Sequence, residues 1–320
     1  MTTNTINYLN IGLMMLSCVV AFFIPFELFL FSYGVLGPLH YLTEIGWLHK
    51  KNYFTKGKYD FVFLIGICVI LFYYTFNPPK DHLLVANLIA FAFFISLVFV
   101  FIKDWLYRIV LTVLTVLVIS VVNNFNEYFV WIGIFLPTII HVFIFTWAFM
   151  LYGVLKERSV SGFLSIVVLL ICAASFFFIK PEGLNYQVSD TVKENYRMFD
   201  LLNFHLINMF HLDSLSRVSD IFITNSGFVI MRFVAFAYTY HYLNWFSKTS
   251  VIKWHQVPKR TLAATLLAWL ASVGVYMYDY NLGIKTLFFL SFLHVFLEFP
   301  LNFVSFTGIG KELSVIRKTK

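Results

Sequence analysis

The chain has 320 residues, of which 60% are hydrophobic and only 12% are charged. Soluble domains are closer to half apolar and a quarter charged, so this composition excludes an ordinary soluble protein and indicates an integral membrane protein. The net charge of +7 does not indicate nucleic-acid binding, because the lysines and arginines stand in short segments beside apolar runs, as membrane orientation requires.

The apolar runs predict an all-α fold, a polytopic bundle of about ten transmembrane helices. Each run is long enough to cross about 30 Å of hydrocarbon as a helix, and none shows the alternation of barrel strands. In chain order, the predicted spans are 8–24, 25–47, 60–77, 84–102, 105–123, 129–154, 162–179, 226–246, 261–279 and 284–306.

Loop lengths and basic residues predict the organisation of the bundle. Short loops separate most spans, so residues 1–320 are expected to form a single transmembrane domain. Most of the 23 lysines and arginines fall on the side that also holds both termini, which predicts cytoplasmic termini. The long loop 180–225 then lies outside the cytoplasm. Within it, MFDLLNFHLINMFHL (198–212) predicts a helix at the membrane interface, with His205 and His211 as interfacial polar residues.

Several chemistries have no support in the sequence. The three cysteines, Cys18, Cys68 and Cys172, lie in apolar segments without a C-x-x-C pair, which indicates buried thiols rather than a disulfide framework or a zinc finger. The chain carries no P-loop, no glycine-rich dinucleotide turn and no G-x-S-x-G elbow. Kinase, Rossmann and hydrolase functions are therefore not indicated.

The histidines divide into two groups. Of the nine, those in polar loops need no functional explanation: His49, His82 and His255. Four others share an apolar setting inside predicted spans: His40 in GPLHYLTE, His141 in PTIIHVFIF, His241 in AYTYHYLNWF and His294 in SFLHVFLEF. All four spans are even-numbered, so on this topology they run in the same direction.

These four histidines lie at similar depths. Counted from the predicted helix starts, their depths differ by roughly 7–8 Å, which helix tilt can absorb. Four imidazoles at one level of a bundle predict a shared metal site, since polar groups inside a membrane are costly and usually functional. Each histidine taken alone also fits a hydrogen-bonded packing residue.

Two carboxylates accompany the histidines at helical spacing. Glu44 follows His40 by four residues and Glu298 follows His294 by four, so each pair shares a helix face. A carboxylate is a usual partner for the second nitrogen of a metal-bound histidine, although Glu44 also fits a residue facing cytosolic water. Neutral imidazole ligands suit iron, copper or zinc.

At the same four histidines the chain resembles the Brp/Blh family, the bacterial integral-membrane β-carotene 15,15′-dioxygenases. GPLHYLTE resembles its P-H-G-A-x-D motif, IIHVF its I-I-H-F-G motif, and FLHVFLEF its final motif of P-H followed by an aspartate. In YTYHYLNWF, Trp245 stands where the family has a second histidine. The resemblance implies a non-haem Fe2+ centre in a bacterial inner membrane, acting on a carotenoid-like or lipid substrate with dioxygen. The ligands would be His40, His141, His241 and His294, surrounded by Glu44, Glu298 and Trp245.

Two further interpretations use the same residues. A b-type haem would take two of the four histidines as axial ligands. Alternatively, a non-enzymatic transporter or assembly component would use the histidines as a proton relay, with Arg232 as a partner for an anion or a carboxylate. Neither interpretation specifies an oligomeric state.

Overall fold

The computed structural model describes residues 2–81, 83–179, 186–248, 253 and 256–318, and the regular secondary structure of this part is helical. This described part contains no β-strand, in agreement with the predicted all-α class. The α-helices are α1 (Thr3–Phe23), α2 (Pro25–Phe31), α3 (Gly37–Lys50), α4 (Asp60–Phe76), α5 (Leu83–Phe101), α6 (Trp105–Val122), α7 (Thr146–Glu157), α8 (Val160–Phe178), α9 (Asp190–Tyr196), α10 (Asp200–Met209), α11 (Asn225–Ser247), α12 (Lys259–Tyr278) and α13 (Tyr280–Lys318). Two π-helical segments, Ser32–Leu36 and Phe129–Phe145, precede α3 and α7.

Seven helices of the described chain are long and apolar enough to cross a membrane, so the protein has the character of a multi-pass membrane protein. They are Thr3–Phe23, Leu83–Phe101, Trp105–Val122, Phe129–Glu157, Val160–Phe178, Lys259–Tyr278 and Tyr280–Lys318. In α6 and α12 only 6% and 11% of the apolar window is buried, so these two helices expose most of their side chains to lipid.

Three predicted spans differ from these seven. The span 25–47 is helical but divided, because the π-helical segment Ser32–Leu36 interrupts it. The span 60–77 corresponds to α4, an apolar helix of 17 residues. The span 226–246 corresponds to α11, whose 23 residues include buried polar side chains that lower its hydropathy.

The described chain forms two compact units. The first comprises Met1–His40 with Glu157–Gly283, and the second comprises Tyr41–Lys156 with Ile284–Lys320. In the first unit, α1 packs against α8 and α11, and α2 and α10 also pack against α11. Helix α11 is therefore the centre of the first unit, and its middle is buried on all sides over residues 230–242.

Backbone groups of the first π-helical region have side-chain partners. The indole nitrogen of Trp269 donates to the carbonyl oxygen of Val35 at 2.8 Å. The hydroxyl of Tyr280 donates to the carbonyl oxygen of Leu30 at 2.9 Å. These bonds matter because carbonyl groups inside an apolar helix bundle have no access to water. They fix the segment that leads directly into α3 and His40.

The long loop is more structured than its composition predicted. In its described part, 186–225, helices α9 and α10 are joined by the 3₁₀ turn Arg197–Phe199. Within the sequence 198–212, residues Asp200–Met209 form α10, whose Leu206 is fully buried. His205 is half-buried and His211 is exposed, and residues 180–185 lie outside the described chain.

In the second unit, α5 packs against α4, α6 and the π-helical segment Phe129–Phe145. An ion pair joins the starts of α4 and α6. The guanidinium of Arg108 donates to both carboxylate oxygens of Asp60, at 2.7 and 3.0 Å, and its Nε donates to the carbonyl oxygen of Ile102 at 2.9 Å. This two-bond geometry is the strong form of an arginine–carboxylate pair, and Asp60 is buried.

Candidate metal centre

His40 and His241 form a close imidazole pair in the first unit. The Nε2 atoms of the two rings lie 3.1 Å apart, and the rings meet edge to face with centroids 4.7 Å apart. Both side chains are buried, at 2% and 6% exposure. His40 lies in the first turn of α3, immediately after Gly37 and Pro38, and His241 lies in the buried half of α11.

Aromatic side chains of α11 surround His40. Its ring centroid lies 5.1 Å from that of Tyr242 and 5.6 Å from that of Trp245, with the Trp245 ring edge to face. Trp245 is thus a direct neighbour of His40. These rings make the surroundings of the imidazole pair apolar and hold its orientation.

His141 and His294 form a second imidazole pair, in the second unit. Their Nε2 atoms lie 3.2 Å apart, and their ring centroids are 5.1 Å apart. The ring of Tyr41 stacks on His294 with centroids 4.0 Å apart, which fixes the plane of that imidazole. All three side chains are at most 3% exposed.

His141 lies in a π-helical segment with a proline inside it. The segment Phe129–Phe145 contains Pro137, which has no backbone N–H and cannot donate the usual helical bond. The wider π-helical turn accommodates that proline, and π-helical turns are frequent at functional sites. His141 stands one turn after Pro137, on a helix whose geometry is already altered.

The two glutamates predicted beside the histidines are both buried, Glu44 at 3% and Glu298 at 2% exposure. A carboxylate oxygen of Glu298 lies 3.5 Å from Nδ1 of His141. The i, i+4 spacing indicated a shared face with His294, whereas this contact reaches a histidine on a different helix. The distance exceeds the 2.7–3.2 Å of a formed hydrogen bond by a few tenths of an ångström.

The geometry of each pair suits either a shared proton or a shared metal ion. Two Nε2 atoms at 3.1–3.2 Å can share one N–H as a hydrogen bond. If both instead bind one ion at about 2.0–2.1 Å, their separation corresponds to an N–metal–N angle of about 100°. That angle lies between the octahedral and tetrahedral values, so neither pair would need to open to take a metal ion.

Among the described residues, His40 and His241 of the first unit belong to a buried histidine group that could hold a metal ion. The remaining histidines lie elsewhere or outside the described chain. His49 is exposed in the last turn of α3 and its Nδ1 lies 3.1 Å from the hydroxyl of Tyr53, while His82 and His255 are not described.

One buried polar residue of this region was not predicted. Asn302 is 2% exposed in α13, and neither its amide nitrogen nor its amide oxygen has a hydrogen-bond partner within the described chain. The available signal was its spacing, since Asn302 follows Glu298 by four residues and His294 by eight.

Comparison of the chain with protein-family profiles, with curated protein sequences and with solved structures finds no match. The geometry of the histidines is therefore the basis for a functional assignment.

Proposed function

We propose that this protein is a membrane-embedded non-haem iron oxygenase acting on a lipophilic substrate, either carotenoid-like or another lipid. The observation that carries the proposal is the pairing of all four buried histidines through Nε2, at 3.1 and 3.2 Å. In an apolar bundle, buried imidazoles that meet through Nε2 can serve as ligands of a divalent metal ion.

We further propose that His40, His141, His241 and His294 are metal ligands. The buried histidine group that could hold a metal ion supports this. The resemblance to the β-carotene dioxygenases also supports it, since the four histidines stand in stretches that resemble that family's motifs. Iron is preferred on that resemblance, while imidazole ligands also accept copper or zinc.

Glu298 has a specific role in this proposal. A carboxylate that accepts a hydrogen bond from Nδ1–H of His141 keeps the proton on Nδ1 and leaves the Nε2 lone pair for a metal. The present 3.5 Å separation requires a movement of only a few tenths of an ångström to form that bond. Tyr41 complements this role by holding the ring of His294.

The surroundings favour a lipophilic substrate. Trp245 and Tyr242 pack on His40, and Phe145 lies edge to face with His141 at 6.3 Å between ring centroids. Such rings exclude water and orient an apolar molecule. A bound iron ion would supply the reactivity toward dioxygen, while the chain holds the reacting bond near the imidazoles.

The geometry within each pair disfavours the b-haem alternative. Axial ligands stand on opposite sides of the iron, so at bonds of about 2 Å their nitrogens are about 4 Å apart. The Nε2 atoms are closer than this in both pairs. An absorption spectrum tests the same point, because a haem protein shows a Soret band.

Metal analysis of the purified full chain tests the proposal. After reconstitution with ferrous iron, we expect about one iron per chain, no Soret band, and loss of iron in His40→Ala, His141→Ala, His241→Ala and His294→Ala. His49→Ala is the matched control, because this histidine is exposed and contacts Tyr53. Size-exclusion elution and circular dichroism establish that each variant is folded.

Three outcomes bear on different parts of the proposal. A folded parent protein that takes up no metal would make the histidines hydrogen-bonded packing or relay residues. Iron retained in all four histidine variants would exclude these residues as ligands. With one iron present, incubation with β-carotene and dioxygen tests the reaction, and an unchanged pigment would remove carotenoid cleavage from the proposal.

A further inference from the structure

The side chain of Asn302 is a buried polar group that no residue of the described chain satisfies. It is 2% exposed, and both its donor and its acceptor lack a hydrogen-bond partner there. Burying an amide without partners costs free energy, so such groups in native proteins call for an explanation. By contrast Ser305, on the same helix and equally buried, donates to the carbonyl oxygen of Leu301.

The contacts of neighbouring residues show which way Asn302 faces. One turn before it, Glu298 contacts His141, and one turn after it, Phe306 contacts Phe145 at 5.9 Å between ring centroids. Residues four apart lie on the same face of a helix, so Asn302 stands between these two contacts. It therefore faces the helix that carries His141, at a level between His141 and Phe145.

The chemistry of this position selects one kind of ligand group. A carboxamide is neutral and offers both a donor and an acceptor, which matches a hydroxyl group and also accommodates a carbonyl oxygen. Phe299 and Leu301, next to it in the chain, are buried in an apolar core. The carboxylate of Glu298 one turn away opposes an anionic group such as a carboxylate or a phosphate.

We propose that Asn302 is a specificity-determining residue that binds the neutral oxygen of a lipophilic substrate, a hydroxyl or a carbonyl. This rests on the proposed function and narrows its substrate class, from any apolar molecule to one with an oxygen function. Along α13 the Cα of Asn302 is about 12 Å from that of His294, so the substrate oxygen lies about that far from the reacting bond.

Two pigments that differ only by hydroxyl groups test the proposal, β-carotene and its dihydroxylated analogue zeaxanthin. Each is titrated into the full chain in lipid nanodiscs, and binding is read from the absorption shift of the pigment and from co-elution. We expect the parent to bind zeaxanthin about tenfold more tightly than β-carotene. Asn302→Leu, of similar size and without polar atoms, should abolish this preference by weakening zeaxanthin binding about tenfold.

Ser305→Ala is the matched control, because it removes a buried hydroxyl whose hydrogen bond is made within α13. It should keep the parent's preference for zeaxanthin. Asn302→Gln retains the amide and should keep part of the preference, which separates recognition from packing.

A preference that survives in Asn302→Leu would overturn the inference, as would equal losses for both pigments or a parent that binds neither. Iron content, measured on the same samples, separates this result from the proposed function. A parent with one iron per chain and no pigment preference refutes the role of Asn302 and leaves the metal centre standing. A metal-free parent that prefers zeaxanthin refutes the metal centre alone.

Discussion

The substitution Glu298→Gln tests whether the carboxylate near His141 supports metal binding. The carboxylate oxygen lies 3.5 Å from Nδ1, so this side chain can act on the imidazole without being a ligand itself. Removing such a partner typically weakens metal affinity by 10–100-fold. At about 1.4 kcal/mol for each factor of ten, this corresponds to about 1.4–2.8 kcal/mol.

The glutamine side chain keeps the size and an acceptor oxygen, so we expect a loss near the lower end, about tenfold. Glu298→Ala loses the acceptor as well and should fall near the upper end. The assay is a competition titration in which a chelator of known affinity removes iron from the purified protein. Glu312→Gln, later on α13, is the control. An iron affinity for Glu298→Ala equal to that of the parent would refute the reasoning.

Three other predictions concern stability and the ligand set. Arg108→Ala should destabilise the chain by about 2–4 kcal/mol in a thermal unfolding assay, because it leaves the buried carboxylate of Asp60 without its ion-pair partner. The double variant Arg108→Ala with Asp60→Asn should recover part of that loss. Burial raises the pKa of the Asp200 carboxyl group in α10 of the folded protein. The protonated carboxyl group therefore contributes to stability below about pH 3.9, the pKa of an aspartate in the unfolded chain, and this contribution is lost as the pH rises through the pKa of the folded state. Asp200→Asn should therefore gain stability over the parent as pH rises, and a melting-temperature difference independent of pH would contradict this. Trp245→His should keep or increase iron affinity, because the Trp245 ring lies 5.6 Å from the His40 ring, at the position where the resemblance implies a further histidine. A loss of iron in Trp245→His but not in Trp245→Phe would contradict this prediction.

The helices and the buried histidines were predictable from the sequence, because long apolar runs and the rare polar residues inside them are visible in a short stretch of sequence. His141 and His294 stand out from their neighbours without any knowledge of the fold. The interruption of the span 25–47 was less evident, because Gly34 and Gly37 with Pro38 indicate a helix irregularity but not a π-helical segment over Ser32–Leu36.

Partners across helices were not predictable, because they depend on the rotation of each helix. The spacing of His294 and Glu298 placed the two on one face, but only the packing of α13 brings Glu298 to His141. The pair of Asp60 and Arg108 was missed for the same reason, since 48 residues separate the two in the sequence. Asn302 was missed because an isolated asparagine in a helix becomes informative only once its burial and its missing partners are known.

The polar residues of α13 connect the proposed metal centre with the proposed specificity. His294, Glu298 and Asn302 are spaced four residues apart, so one face of the helix carries in turn the proposed ligand, the residue proposed to orient a ligand, and the residue proposed to bind an oxygen atom. Ser305, on the same helix, bonds within it to Leu301. Glu298 instead reaches another helix, and Asn302 faces that same helix. Because the two residues are proposed to act on a ligand and on the substrate respectively, substitutions at Glu298 and Asn302 should separate metal affinity from substrate preference.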